Sequence, residues 1–340
     1  MKILYGVQAT GNGHISRARA MEKHFSAAGV QVDYLFSGRP ADQFFDMQPF
    51  KEYQVKRGLT FVTEAGKVNY SKTLFQASIR ELWRDIQQLD CSGYDLIITD
   101  FEPITAWAAR RQRKTAVAIG HQYAFGYGIP MKQANWISKL IFKYFAPADF
   151  QLGLHWHHFN YPILPPILDL ESETPPIQNN KVLVYLPFED QQQVIQWLRP
   201  LTEYHFCIYG PGLPAEKHGH ITTHPPALQA FKHDLHSCQF VLSNAGFELI
   251  SEALQLQKAI MVKPLQGQME QLSNALALQQ LNFASSTGHL TTAIIANWLS
   301  APQTHQRIAY PDVAAAICHW LLHDRPVSVG QLSRSLWQPG

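Results

Sequence analysis

Cysteine is scarce and unpatterned: 4 in 340 residues, at Cys91, Cys207, Cys238 and Cys318, with no Cys-x-x-Cys pair. That argues against a disulfide scaffold or a zinc site and predicts reduced thiols in a core. Long apolar runs are missing as well. No stretch approaches the roughly 20 apolar residues that a membrane-spanning helix needs. The opening Met-Lys-Ile-Leu-Tyr-Gly-Val-Gln is too short and lacks a cleavage site for a signal peptide. The expectation is a cytoplasmic protein. Charge is sparse, at 16% of residues with a net of +2, so there is no electrostatic case for nucleic acid. No Asp-x-Asp pair is present to hold a divalent cation, and no metal or cofactor is expected. No short-period repeat is visible.

What is present is apolar and globular. A hydrophobic content of 46% is that of a globular chain, and a length of 340 residues suits two domains of ordinary size or one large one. Lys2 to Gln8 reads as a strand, Ala9 to His14 as a glycine-rich loop, Ile15 to Ala28 as a helix closed by Gly29, and Val30 to Phe36 as a second strand. This β-α-β opening predicts a parallel sheet with right-handed crossovers. A helix over Leu74 to Leu89, strands over Asp95 to Thr99 and Thr115 to Ile119, a helix over Ile104 to Arg111 and another over Gln133 to Phe145 continue the pattern. The prolines at 162, 165, 166, 175 and 176 mark a connection, after which strands start afresh at Val182 to Leu186 and Tyr204 to Tyr209. The expected organisation is an α/β chain of two Rossmann-like domains, residues 1–160 and 181–310, joined by a linker over 161–180. Residues 311–340 form a C-terminal helix and tail.

The most informative stretch runs from Ser243 to Asn274. A buried strand, Phe240-Val241-Leu242, enters Ser243-Asn244-Ala245-Gly246, residues that suit a tight turn and a helix N-cap. A helix from Phe247 to about Gln257 follows. The free N–H groups and dipole at its start make a natural anion site. Glu252, six residues after Gly246, lies roughly 9 Å along the helix axis, where the ribose of a bound diphosphate would fall. A further strand, Ala259 to Val262, leads through Lys263 and Pro264 to Glu270, Gln271 and Asn274 at the head of another helix.

Gly-x-x-x-x-x-Glu followed by Glu-Gln-x-x-Asn-Ala resembles the donor half of GT-B glycosyltransferases, in the MurG-like and UDP-glucuronosyltransferase-like groups. The resemblance covers most of the chain in outline. It implies two domains facing across a cleft, and a C-terminal helix, Asp312 to His323 here, crossing back to the first. It also implies inverting, metal-independent transfer of a sugar from a nucleotide-diphosphate donor, UDP-linked, to an acceptor hydroxyl. Ser243, Asn244, Gly246, Glu252, Lys263, Glu270, Gln271 and Asn274 become donor-side residues, with Gly11 and Gly13 of the first loop approaching sugar or phosphate. The chain departs from the pattern in two places. Asn244 stands where plant-type relatives carry a phosphate-binding histidine, and Leu186-Pro187-Phe188-Glu189 replaces the Gly/Ser residues often found near the donor phosphate.

Gly-x-Gly-His is similar to the first loop of MurG-like enzymes, with a histidine on the acceptor side. An imidazole has a pKa suited to deprotonating a hydroxyl, best when a carboxylate fixes its tautomer. His14 is therefore the candidate base and Asp100, at the end of a neighbouring strand, its orienter. The competing reading has His14 capping its helix or touching phosphate, and Asp100 capping the helix before Pro103. The residues alone leave both open. Other functions also stay open. Gly11-x-Gly13-x-x-Ser16 with Arg39 allows an NADP oxidoreductase, although the third glycine and a ribose carboxylate are missing. A nucleotide-sugar binder or a sugar-nucleotide epimerase stays open as an alternative for the second half. The partners expected are a nucleotide sugar and a hydroxyl acceptor, with a lipid-linked or cell-envelope glycan as one option for the acceptor. The Lys132–Phe145 stretch would then allow peripheral contact at the inner membrane face, although packing on the core is the simpler reading. His155, His157 and His158 read as structural histidines.

Overall fold

In the computed structural model the described residues are 1–59, 63–64, 67–68, 79–133, 136–170, 175–302 and 307–338, with backbone alone at 63–64, 67–68 and 136–139. The first part of the expected Leu74 helix lies outside them, and the helix runs from Ile79 to Gln88.

Strands β1 (Lys2–Gln8), β2 (Gln31–Ser37), β3 (Tyr53–Lys56), β6 (Leu96–Asp100), β7 (Ala116–Gly120) and β8 (Phe150–Gly153) form the first sheet, in the order β3-β2-β1-β6-β7-β8. All its pairings are parallel. A small antiparallel hairpin of β4 (Thr63–Glu64) and β5 (Lys67–Val68) stands apart. Helices cover both faces of the main sheet, so its inner strands are buried residue after residue, without the alternation of a half-exposed sheet. Gly6 in β1 is a packing requirement. A Cβ there would stand 2.0 Å from Thr105 Oγ1, on the helix Pro103–Arg111.

The second sheet contains β9 (Gln178–Tyr185), β10 (His205–Tyr209), β11 (Glu216–His218), β12 (Ile221–His224), β13 (Cys238–Ser243), β14 (Ala259–Val262) and β15 (Ser285–Ser286). Its order is β11-β12-β10-β9-β13-β14-β15, with only β11 antiparallel to its neighbour. Strand order reverses between β1 and β6 in one lobe and between β9 and β13 in the other. Such switch points open a crevice beyond the carboxyl ends of the strands. The registers pair Val7 with Asp100 and Tyr185 with Ser243 at those points. Both stretches singled out in the sequence thus sit where an α/β sheet holds ligands.

The first helix starts earlier than expected, at Asn12, so His14 lies in its first turn and not in a loop. Gly11 is the N-cap, in extended conformation and without a side-chain cap. The helix Val313–Leu322 packs on this first helix, with His24 Nε2 3.3 Å from Asp312 Oδ1. The last helix, Val329–Trp337, is tied to the connector, where Ser333 Oγ and Trp337 Nε1 donate to Ile163 O at 2.7 and 2.6 Å. All four cysteine thiols are buried and free. Among the described residues no helix is long and apolar enough to cross a membrane.

Candidate functional site

Asp100 ends β6, and the residue after it, Phe101, takes a left-handed φ of 52°. This uncommon turn for a bulky residue separates two carboxylates that are two positions apart. Glu102 goes to the next helix: its oxygens accept from Ile104 N (2.9 Å), Thr105 N (2.7 Å) and Ser37 Oγ (2.8 Å). The cap that Asp100 might have supplied is therefore Glu102. Asp100 instead meets His14, with His14 Nδ1 at 2.7 Å from Asp100 Oδ1. The carboxylate accepts, so Nδ1 carries the proton and Nε2 is left as the basic nitrogen.

One residue that the sequence reading passed over completes this pair. Arg17, one helical turn beyond His14, is buried and donates from Nε to Asp100 Oδ2 (2.7 Å) and from Nη2 to Asp100 Oδ1 (2.9 Å). Its Nη1 donates to Glu248 Oε1 at 2.6 Å, in the helix Phe247–Gln255 of the other lobe. Burial alone would raise the Asp100 carboxyl, but the charges of Arg17 and His14 outweigh it and hold it below the ordinary range. Glu248 goes the other way: burial pushes it up to about 7 in spite of Arg17. The spacing His-x-x-Arg, which puts both side chains on one helix face, was the only signal for Arg17 in the sequence.

Across the seam, the helix Phe247–Gln255 begins at Gly246 with no side-chain cap. A Cβ at Gly246 would meet nothing within 4 Å. Among the described residues the helix start thus has no side-chain acceptor and no side chain over Gly246, two features an anion site requires. Gly13 is closely packed in contrast, its Cβ position lying 2.8 Å from Glu248 Cγ, while Gly11 is unhindered. Glu252, one turn after Glu248, is buried among groups from both lobes. Asp169 N–H donates to it, and Lys232 and Arg19 are its charged neighbours. Burial is the chief cause of its carboxyl rising to about 8.

The remaining sequence candidates divide. Glu270 is half-buried at the seam and accepts from Gln122 Nε2 of the first lobe at 3.1 Å. Lys263 is paired with Glu189 Oε1 at 2.6 Å, so the unusual Leu186–Glu189 turn compensates its charge. Ser243 Oγ donates to Asn244 O (2.8 Å), and Asn244 Nδ2 to Lys263 O (2.9 Å), while Asn244 Oδ1 is buried without a partner among the described residues. Gln271 Oε1 accepts Leu265 N–H (2.9 Å) and shapes the Lys263–Met269 loop. Asn274 is fully buried: Nδ2 donates to Ala245 O (3.0 Å), and Oδ1 meets His121 Nε2 (2.7 Å). These last four hold the frame around the corner. Arg39, which a dinucleotide reading would need, donates to Asn12 Oδ1 at 3.0 Å and lies over the Phe44 ring. His155, His157 and His158 each accept a backbone N–H at Nδ1, from Trp156, Phe159 and Asn160. In the Trp136–Tyr144 helix, Ile141 and Phe142 pack against the Phe101 and Tyr123 cluster, while Leu140 and Tyr144 are exposed.

With this geometry in place, comparison with known proteins is decisive at the family level. The description "Glycosyl transferase family 1" matches residues 1–302. The chain belongs to glycosyl transferase family 1. Over 130 residues this family member is 26% identical to an uncharacterized glycosyltransferase of Methanosarcina mazei, covering 36% of the chain. The match takes in 34% of that relative, so the chain spans about a third of the length of the curated relative it matches. Among solved structures, Arabidopsis thaliana UGT89C1 complexed with UDP is similar over 98% of both chains at 11% identity, with a TM-score of 0.63. The glycotransferase of kitacinnamycin is similar over 98% of this chain and 97% of its own at 13% identity, with a TM-score of 0.60. MurG of Acinetobacter baumannii matches 99% of this chain and 94% of its own at 13% identity, with a TM-score of 0.52. At such identities the likeness establishes the fold, the two-lobed GT-B architecture.

Proposed function

We propose that this family 1 chain is an inverting glycosyltransferase that uses a nucleotide-diphosphate sugar, a UDP-sugar, as donor and a hydroxyl as acceptor. The observation that carries the reading is the 2.7 Å contact of His14 Nδ1 with Asp100 Oδ1 at one strand-order switch, with an uncapped helix start at the other. A related fold solved with UDP supports the choice of nucleotide.

In this mechanism His14 Nε2 takes the proton of the acceptor hydroxyl as its oxygen attacks the anomeric carbon. The bond from that carbon to the diphosphate oxygen breaks on the opposite face, so the configuration inverts. UDP leaves with the electron pair. Its developing charge is received by the amides following Gly246 and by the helix dipole, which is why no metal is assigned a role. Asp100 stabilises the imidazolium formed, and Arg17 keeps Asp100 ionised and aimed. Glu252 grips the ribose, and Glu270 the donor sugar. Ser243, Asn244, Lys263, Gln271 and Asn274 support the donor corner from behind.

The test is release of UDP from a set of UDP-sugars with hydroxylic acceptors, together with the anomeric configuration of the product by NMR. His14→Ala and Asp100→Asn are each expected to lower kcat by about 100-fold or more, with UDP affinity nearly unchanged. Unchanged turnover in both would remove the pair from the mechanism. UDP binding without cleavage of any UDP-sugar would favour a binding protein, and interconversion of the sugar without transfer an epimerase.

A further inference from the structure

Beside the His14–Asp100 pair lies a polar atom that the mechanism above does not use. Gln122, just beyond β7, is 6% exposed, and its Oε1 is buried with no hydrogen-bond partner among the described residues. Its orientation is fixed, because Nε2 donates to Glu270 Oε2 at 3.1 Å and a flipped amide would set oxygen against carboxylate. The position of Oε1 is also defined. The point where a Cβ of Gly120 would stand is 3.2 Å from Gln122 Oε1 and 3.3 Å from Asp100 Oδ1. Gln122 Oε1 and the carboxylate oxygen that holds His14 therefore lie on the same side of Gly120, where a Cβ would touch both. A buried acceptor left unpaired is destabilising, and such a cost next to reacting groups points to a ligand that satisfies it.

We infer that Gln122 is an acceptor-side specificity residue, and that the acceptor is a polyol presenting two adjacent hydroxyls. One hydroxyl gives its proton to His14 and becomes the nucleophile. The neighbouring one donates to Gln122 Oε1. A phenol or simple alcohol supplies only the first and leaves the amide oxygen unpaired in the closed seam. Because the same amide grips Glu270 of the donor lobe, a diol seated on Gln122 also braces the closed arrangement of the two lobes. Acceptor recognition and donor-side geometry thereby share one side chain. This inference rests on the transferase reading.

The test compares matched acceptors in the UDP-release assay: methyl glycosides bearing a vicinal diol, deoxy analogues in which no two hydroxyls remain adjacent, and 4-nitrophenol as a lone hydroxyl. Wild-type protein is expected to favour the diols in kcat/KM by about tenfold or more. Gln122→Met, of similar length but without the acceptor oxygen, is expected to bring diol and deoxy acceptors within about twofold, mainly by loss on the diol. A variant that merely disturbs packing would lower both together and keep the ratio. Equal wild-type rates with diol and deoxy acceptors, or a ratio that survives Gln122→Met, overturns the inference and leaves the transferase reading standing. No UDP release with any acceptor overturns both. The wild-type ratio decides even if the variant does not fold.

Discussion

At the scale of single residues, the site depends on charges that are buried together. Arg17 joins Asp100 to Glu248, and removing one partner of such a group strands the others. Arg17→Met is therefore expected to cost about 3–5 kcal/mol of stability by urea unfolding. Arg17→Lys should fold better yet keep low turnover, since an ammonium cannot reproduce the two-point grip on Asp100. A second residue-scale expectation concerns pH. The Glu252 carboxyl is raised from an ordinary 4.5 to about 8. The folded protein thus holds that proton more tightly than the unfolded chain, and its contribution to stability, complete below about pH 4.5, is lost as pH rises towards 8. The buried histidines His121 and His155, whose pKa values burial lowers, oppose this trend at acid pH. The clean measurement is a difference: Glu252→Gln should gain on wild type by roughly 3 kcal/mol between pH 5 and pH 8. A constant gap across that range would mean that Glu252 titrates normally.

At the scale of elements, the helix Phe247–Gln255 separates structural from functional demands. A Cβ at Gly246 has open space around it, and φ is −73°, which any residue adopts. Gly246→Ala should change stability by less than about 1 kcal/mol, yet place a methyl where the proposed donor diphosphate would approach the amides. UDP affinity should fall by about tenfold or more while the melting temperature barely moves. How far such elements could be read from the sequence follows from what makes them local. The strand–turn–helix at Ser243–Gln255 was legible because apolar runs, small turn residues and helical periodicity all lie within a few positions. The Asp100–His14 contact was legible only as one of two alternatives. What decided it, the left-handed Phe101 and Glu102 taking over the helix cap, depends on a backbone turn that composition does not reveal. Arg17 with Glu248, and Gln122 with Glu270, are pairs 231 and 148 positions apart. Nothing local marks them, because each partner alone looks like an ordinary surface residue. The burial of Asn274 escaped for the same reason: its partner His121 belongs to the other lobe.

At the scale of the whole molecule, the two lobes are fastened at several points along one seam. Asp169 in the connector is buried between Lys23 of the first lobe and Lys232 of the second, each at 2.6 Å. Trp156 Nε1 donates to Ser251 Oγ (2.8 Å), and the His121 and Phe247 rings stack with centroids 4.0 Å apart. The connector is thus bonded to both lobes. Asp169→Asn should lower stability by about 3 kcal/mol and broaden the unfolding transition as the lobes uncouple. In the proposed mechanism the seam sets a base on one lobe against an anion site on the other, and that division of labour is the central claim. It is tested most directly by calorimetric titration of UDP into wild type, Gly246→Ala, Glu252→Ala and His14→Ala. The account predicts saturable UDP binding that weakens about tenfold or more in the two second-lobe variants and stays within about twofold in His14→Ala. Equal affinity in all four proteins, or loss confined to His14→Ala, would contradict it.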